Sequence, residues 1–318
     1  MVNGAPLRVV FFGTPSFAVP TLESVLASHH QVVAVVTQPD RPRGRGHKTS
    51  DSPVKARAVA AGVPVLQPAT LADPAFRLSL GALDADIGVV AAYGRILSEA
   101  VLAVPRLGMI NVHASLLPRH RGAAPVHRAI LAGDTETGVT IMRVVKALDS
   151  GPMLAAVRRP IGLDETSEEV ERDLARLGAP LLVAALDELA GGTARETPQD
   201  EGAATYARRL TKEDGLIHWQ SPALRIHNQV RGLHPWPHAH SYLHGARLIV
   251  RRTRQLISCS VAPPGEIIVA SGDMLRVATA EGGLDLVELQ TEGKRPMSAR
   301  DFLAGHRVRP GDRFTITP

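Results

Sequence analysis

The stretch LRVVFFGTPSFAVPTLESVLASHHQVVAVVT, residues 7–37, decides the fold. Leu7 to Phe12 is an apolar run broken by one arginine, Arg8, and ended by Gly13-Thr14-Pro15. Phe17 to Leu26 then places apolar residues at helical spacing, and Gln31 to Thr37 returns as a Val-rich run. Strand, helix and strand in so short a span make a βαβ unit, whose strands run parallel and are covered by helices. The expected fold class is therefore α/β, with a Rossmann-like parallel sheet in the N-terminal part. Gly13-Thr-Pro-Ser16 is not the G-x-G-x-x-G fingerprint, and no acidic residue follows the second strand where a ribose would need one, which argues against dinucleotide binding.

Downstream, Pro53 to Ala61 and Pro74 to Leu83 read as helices, Val63 to Leu66 and Ile87 to Ala92 as strands, with Tyr93-Gly94 making a strand-end loop. Ala124 to Leu131 is helical; Gly138 to Val144 and Met153 to Pro160 are β-rich. Thr166 and Glu169 stand at capping-box spacing and open a helix that Gly178 ends, with another beginning at Pro180. Gly191 to Ala204 has a linker's composition. Beyond it Ala223 to Val230 is helical, and the short alternating runs Arg247–Thr253, Gly265–Ala270, Met274–Ala278 and Leu284–Leu289 indicate a small, OB-like β-barrel. The expected domains are a catalytic domain over residues 1–191, a linker over 192–211 and a barrel over 212–318.

The 318 residues suit two domains, and with only 3% aromatic residues the core must rest on Val, Leu, Ile and Ala. No apolar run approaches the roughly 20 residues of a membrane span, and the first residues do not resemble a signal peptide, so a cytoplasmic protein without a membrane partner is expected. Cys259 is the only cysteine, which excludes an internal disulfide. The net charge of +5 is unevenly placed: residues 206–318 carry 16 Arg and Lys against 10 Asp and Glu, and residues 1–205 carry 20 against 21. Arg41, Arg43, Arg45, Lys48, Lys55 and Arg57 crowd one segment offset only by Asp40 and Asp51. That distribution suits a polyanion, or equally a solvated basic surface. Gln38 to Ser52 reads as a mobile loop; its Gly44-Arg-Gly-His-Lys-Thr49 lacks the spacing of a P-loop.

Leu107 to Val112 has the look of a short buried strand running into a loop that Pro118, Gly122 and Pro125 keep irregular. Asn111 and His113 are two apart and project to the same side of an extended backbone. The amide can donate to a carbonyl oxygen, and a protonated imidazole donates more strongly as that oxygen becomes an oxyanion. Asp149, if folded against His113, would support the imidazolium and orient it. The set suits acyl transfer to an amine without a covalent enzyme intermediate. Taken alone, an Asn-x-His pair is better explained by a hydrogen-bonded core histidine.

Asn111-Val-His-Ala-Ser-Leu-Leu-Pro-Arg-His-Arg-Gly-Ala-Ala-Pro125, with Gly138-Val-Thr-Ile-Met142 and Leu148-Asp-Ser-Gly151, resembles the folate-dependent formyltransferases. Phe12 to Phe17 and Thr37 to Pro42 resemble that family's first loop and basic insertion; His234-Pro-Trp-Pro237, Pro264-Gly-Glu266 and Lys294 to Ala299 resemble the C-terminal barrel of its tRNA-directed members. The resemblance covers essentially the whole chain. It implies an enzyme that moves the formyl group of 10-formyltetrahydrofolate to the amino group of methionyl initiator tRNA, in translation initiation of bacterial or organellar type, as a monomer and without a metal. It also implies Asn111, His113 and Asp149 as the catalytic set and Ser115, Leu116, Leu117 and Pro118 as lining of the folate site. Arg41, Arg43, Arg45 and Lys48 would grip the acceptor stem, with the barrel's positive face along the phosphates. A formyltransferase acting on a sugar nucleotide or another small amine is the alternative. Three residues depart from the family pattern: His120 where an aromatic residue is usual, Pro152 in place of Asp, and His234 in place of Asn. With His238, His240 and His244, His234 makes a patch expected on the exposed surface.

Overall fold

The computed structural model describes residues 4–43, 48–256 and 262–318, and of residues 41–43 and 48–49 the backbone. Contacts divide the chain into two units: Met1–Pro125, Glu136–Arg159 and Glu171–Ala207 form one, and Val126–Thr135, Pro160–Val170 and Arg208–Pro318 the other.

The first unit contains strands β1 (Arg8–Gly13), β2 (Gln31–Val36), β3 (Arg41–Arg43), β4 (Lys48–Ser50), β5 (Val65–Leu66), β6 (Ile87–Ala91), β7 (Met109–His113), β8 (Arg121–Gly122), β9 (Glu136–Arg143), β10 (Met153–Pro160) and β11 (Tyr206–Ala207). Seven of them form one sheet in the order β10-β9-β7-β6-β1-β2-β5. The pairs β1/β2, β1/β6, β6/β7 and β2/β5 are parallel, and β7/β9 is antiparallel. The opening βαβ unit thus lies at the heart of the sheet, with helix α1 (Ala18–Ala27) as its crossover. Val9, Val10, Phe11 and Phe12 are fully buried, as a central parallel strand covered on both faces requires. Helices α2 (Pro53–Ala60) and α3 (Pro74–Gly81) begin as their sequences dictate: Ser52 and Asp73 accept hydrogen bonds from the amides of Lys55 and Ala75, with proline at the first helical position.

Three expectations change. The stretch from Gln38 to Ser52 is not wholly irregular, because β3 and β4 pair antiparallel, Arg41 opposite Ser50 and Arg43 opposite Lys48. Arg45 lies outside the described residues, as does Cys259. Lys55 and Arg57 do not add to a free basic cluster: Lys55 Nζ bridges Asp40 and, at 2.9 Å, Asp51, while Arg57 Nε meets Glu23 Oε1 at 2.8 Å. Finally, α6 is one helix, Ser167–Ala190, with Pro180 inside it. It follows α4 (Glu99–Leu102) and α5 (Pro125–Ala132) in the chain and is the longest helix among the described residues. Gly178 does not end it; a Cβ there would lie 3.1 Å from Val112 and Val139, so glycine lets the helix approach β7 and β9. Burial of Leu174, Leu182 and Leu186 outweighs the roughly 3 kcal/mol that an interior proline costs. The capping box does form: Thr166 N donates to Glu169 Oε2 (2.8 Å) and Glu169 N to Thr166 Oγ1 (3.3 Å).

The stretch 192–211, a linker by composition, is bonded into the first unit as far as Ala207. Thr197 and Met153 exchange both backbone hydrogen bonds at 2.8 Å, and β11 pairs in parallel with β8.

In the second unit, helix α7 (Ala223–Gly232) precedes strands β12 (Ala239–Leu243), β13 (Ala246–Leu256), β14 (Ile267–Ser271), β15 (Met274–Ala278), β16 (Gly283–Thr291) and β17 (Met297–Ser298), and helix α8 (Ala299–Gly305) follows. The sheet is antiparallel, ordered β12-β13-β16-β15-β14 with β17 on β16. The C-terminal segment bridges its two edges: Tyr242 and Thr315 exchange backbone hydrogen bonds of 3.0 and 2.9 Å, and Phe314 N donates to Gly265 O at 2.9 Å. Trp219, Ile226, Val250, Leu286, Phe302 and Phe314 fill the interior of this barrel-like sheet. His244 and Gly245, both at positive φ, make the tight β12/β13 turn, where a two-residue hairpin loop demands that conformation.

Candidate active site

The parallel strands end where their loops meet. Thr14, after β1, donates its hydroxyl to the carbonyl of Tyr93 after β6 (3.2 Å), and Gln38, after β2, donates its amide to the same carbonyl (2.8 Å). Carboxyl ends of strands are where open α/β sheets present ligand-binding groups. β7 ends beside β6 and carries Asn111 and His113. Asn111 sits opposite Val90 and Met142, and is partly exposed, whereas His113 is 5% exposed.

Two polar contacts of the His113 ring bear on its chemistry. Its Nε2 lies 3.0 Å from the carbonyl oxygen of His120; a carbonyl only accepts, so this nitrogen carries hydrogen. Its Nδ1 lies 3.7 Å from Asp149 Oδ2, too long for a hydrogen bond and close enough for an ion pair when the ring is charged. Asp149 Oδ2 accepts the amide of Gly122 at 2.8 Å. Asn111, His113 and Asp149 are therefore gathered at one strand end, two on β7 and one on the turn beside it. The Nδ1 of a protonated His113 would have its hydrogen unclaimed by any bond of normal length to Asp149, with a carboxylate next to it.

Ser115, Leu116, Leu117 and Pro118 form the loop that leaves β7. Ser115 is fully buried, and its hydroxyl donates to the carbonyl of Arg119 at 2.6 Å. Thr140 Oγ1 donates to Ser115 O (2.7 Å) and accepts from Leu117 N (3.2 Å). Ser115 and Leu117 thus shape the loop, and Leu116 and Pro118 are partly exposed. Arg41, Arg43 and Lys48 stand on the β3/β4 hairpin.

Sequence reasoning assigned no role to the groups that surround Asp149. Arg121 is fully buried and pairs bidentately with Glu201, Nη1 to Oε2 at 2.9 Å and Nη2 to Oε1 at 2.8 Å. Glu201 holds its carboxyl below the usual value through that bond. Arg121 Nε donates to Gln199 Oε1 (2.9 Å), and Gln199 Nε2 donates to the carbonyls of Asp149 (2.9 Å) and Gly151 (2.8 Å). Arg121 belongs to the quoted Arg-x-Arg-Gly stretch; nothing in the composition around Gln199 and Glu201 marked them.

The histidine patch is not simply surface. His240 is buried; His238 accepts from Arg251 at 3.2 Å, and burial, then Arg251 and His234, lowers it to about 4. His234 lies 3.2 Å from Glu168 and His244 3.2 Å from Asp312. Among the described residues His29, His30 and Asp187 come close enough to suggest a metal site. The amide of Leu7 donates to His30 Nδ1 (3.1 Å), so Nε2 holds the hydrogen and faces Asp187 at 3.2 Å. A metal would need that nitrogen's lone pair.

Residues 7–186 match the family described as formyl transferase, and residues 209–307 the formyl transferase C-terminal domain. The chain is 49% identical over 302 residues to the methionyl-tRNA formyltransferase of Methylococcus capsulatus, covering 95% of this chain and 98% of that one. It is 47% identical over 311 residues to that of a Roseiflexus species, covering 97% and 95%. Among solved structures, an N-formyltransferase from Helicobacter canadensis, in complex with folinic acid and dTDP-3-aminofucose, superposes with a TM-score of 0.69 at 16% identity, covering 90% of this chain and 99% of that one. HypX from Aquifex aeolicus in complex with tetrahydrofolic acid gives 0.64 at 15% identity, covering 94% and 47%. The fold is common to all of these, and the high identity runs through both parts of the chain: it belongs to the formyl transferase family.

Proposed function

We propose that the protein transfers the formyl group of 10-formyltetrahydrofolate to the amino group of methionyl initiator tRNA. The observation that carries this reading is the near-full-length identity, through the C-terminal domain as well, to relatives named for that activity. The neighbour with an amino-sugar nucleotide bound shares the fold at 16% identity.

The methionyl amine attacks the formyl carbon, giving a tetrahedral oxyanion. Asn111 donates its amide to that oxygen, and the hydrogen on His113 Nδ1 is the second donor, since Nε2 is committed to His120 O. Asp149, 3.7 Å from Nδ1, balances the charge of the ring and assists the proton that leaves the incoming ammonium and ends on the departing folate nitrogen as the carbon–nitrogen bond breaks. Ser115 to Pro118 lie beside the donor folate. Arg41, Arg43, Arg45 and Lys48 grip the acceptor stem, with the barrel's cations along the backbone. The protein works as a cytoplasmic monomer; no described helix is long and apolar enough to cross a membrane.

The test is formyl transfer from 10-formyltetrahydrofolate to charged initiator tRNA, run beside uncharged tRNA and a 4-amino sugar nucleotide. Only the charged tRNA should be modified. Asn111→Ala should lower kcat roughly 100- to 1000-fold with little change in tRNA binding. Turnover of the sugar nucleotide in preference to the tRNA would overturn the acceptor, and an unchanged kcat in the variant would overturn the oxyanion assignment.

A further inference from the structure

We infer that Gln199 is a positioning residue for Asp149, and that the Arg121–Glu201 ion pair holds Gln199 in that role. Its kinetic arm rests on the formyl-transfer reading; its geometric arm does not.

Asp149 adopts φ +47°, a left-handed conformation that costs a non-glycine residue on the order of 1 kcal/mol or more. Such a backbone persists where its surroundings fix it. Here the Gln199 amide is one of the groups that fix it. Both hydrogens of Gln199 Nε2 are engaged, at 2.9 Å by Asp149 O and at 2.8 Å by Gly151 O, so the amide spans the turn. Its oxygen accepts from Arg121 Nε at 2.9 Å, so the amide cannot flip without losing all three bonds. Arg121 in turn cannot swing, because its fork is matched to Glu201 and its own amide donates to Thr205 O at 2.8 Å. Gly151 packs closely against β9, where a Cβ would overlap the carbonyl oxygen of Arg143.

The Asp149 carboxylate is aimed by the same stretch. Gly122 N donates to its Oδ2 at 2.8 Å, and Gly122 is fixed by β11, since Ala123 N donates to Ala207 O at 2.9 Å and a Cβ on Gly122 would lie 2.7 Å from that oxygen. Residues 197–207 therefore set both the backbone and the carboxylate of Asp149, and with them its 3.7 Å separation from His113 Nδ1. A displacement of about 1 Å at a reacting group lowers a rate on the order of 100-fold.

The experiment compares Gln199→Met, which keeps the stem and deletes the polar amide, with Gln199→Glu, which keeps the acceptor for Arg121 but turns an anion toward two carbonyls. Glu201→Asp keeps the carboxylate on a shorter stem. In Gln199→Met, kcat for formyl transfer should fall roughly 10- to 100-fold while KM for the tRNA stays within about twofold. Gln199→Glu should be at least as slow; Glu201→Asp, whose shorter stem cannot meet the Arg121 fork in place, should lower kcat in the same direction but less than Gln199→Met, and an unchanged kcat there would overturn the role of the ion pair. Hydrogen exchange in residues 148–152 should quicken in Gln199→Met with the rest of the sheet protected as in wild type. A Gln199→Met variant that melts earlier but keeps the wild-type kcat would show a purely structural role and overturn the proposal, as would unchanged exchange in the turn. If the wild-type protein forms no formyl-methionyl-tRNA, the functional reading alone fails, and the exchange measurement still decides whether Gln199 clamps the turn.

Discussion

Replacing Asp149 by asparagine separates its charge from its shape. Asparagine tolerates the left-handed conformation that Asp149 adopts at φ +47°, and its carbonyl oxygen can accept the Gly122 amide as Oδ2 does at 2.8 Å. What disappears is a unit charge 3.7 Å from His113 Nδ1. At an effective dielectric constant of about 20 that attraction is about 4.5 kcal/mol, an upper limit equal to about three decades in rate. Asp149→Asn should therefore fold with stability within about 0.5 kcal/mol of wild type and lose roughly 100- to 1000-fold in kcat. Asp149→Ala should lose the same activity and, in addition, stability: the Gly122 amide is stranded at a cost of about 1–3 kcal/mol, and alanine pays about 1 kcal/mol more in the left-handed region. Urea unfolding and single-turnover formyl transfer read the two effects separately. A kcat for Asp149→Asn within tenfold of wild type would refute the electrostatic role, and equal stability loss in both variants would refute the assignment of the Gly122 bond.

Gly178→Leu should destabilise the first unit by about 2–3 kcal/mol in urea unfolding, since Val112 and Val139 already stand 3.1 Å from where a Cβ would go. His127, lowered to about 4 by burial and then by Arg128, is kept neutral by the fold, whereas an unfolded histidine protonates near 6.5. Its contribution to stability is present above about 6.5 and is lost as pH falls toward 4, so in unfolding midpoints measured between pH 7 and 4.5 His127→Gln should flatten the decline by up to about 3 kcal/mol. Arg41→Ala and Arg43→Ala should each weaken binding of initiator tRNA and reduce the slope of log affinity against log salt by about one, as measured by filter binding across a salt series.

The parallel sheet was legible because its determinants are local and repetitive. Buried Val-rich strands, a proline-started α2 with Ser52 as cap, and the Thr166/Glu169 capping box all declare themselves within a few residues. Long-range choices did not. Gly178 and Pro180 carry the signals that end a helix, and only the valines across the interface show why α6 runs on. Lys55 and Arg57 count as free cations in a sequence, yet Asp40, Asp51 and Glu23 claim them. The histidines from 234 to 244 look like polar surface, although His240 is buried and Arg251 donates to His238. At the candidate site, the i, i+2 spacing of Asn111 and His113 was readable as one face of a strand, whereas the 3.7 Å approach of Asp149 depends on how three loops close.

Those closures explain why a stretch with a linker's composition shapes the candidate site. Gln199, Glu201 and Thr205 fall between the two matched ranges, which end at residue 186 and resume at 209. Composition reads such a stretch as spacer because it is poor in apolar residues, and burial of apolar area is what sequence patterns report best. This stretch instead acts through polar groups: the paired backbones of Thr197 and Met153, the Gln199 amide, and the Glu201 carboxylate opposite a buried guanidinium. Removing one partner of a buried ion pair leaves an uncompensated charge, so Glu201, although exposed itself, is more constrained by Arg121 than its position on the surface suggests. The Asp149 carboxylate is thus placed by residues 27 and 50 positions away in the chain, and the structure that supports the candidate site extends to Ala207.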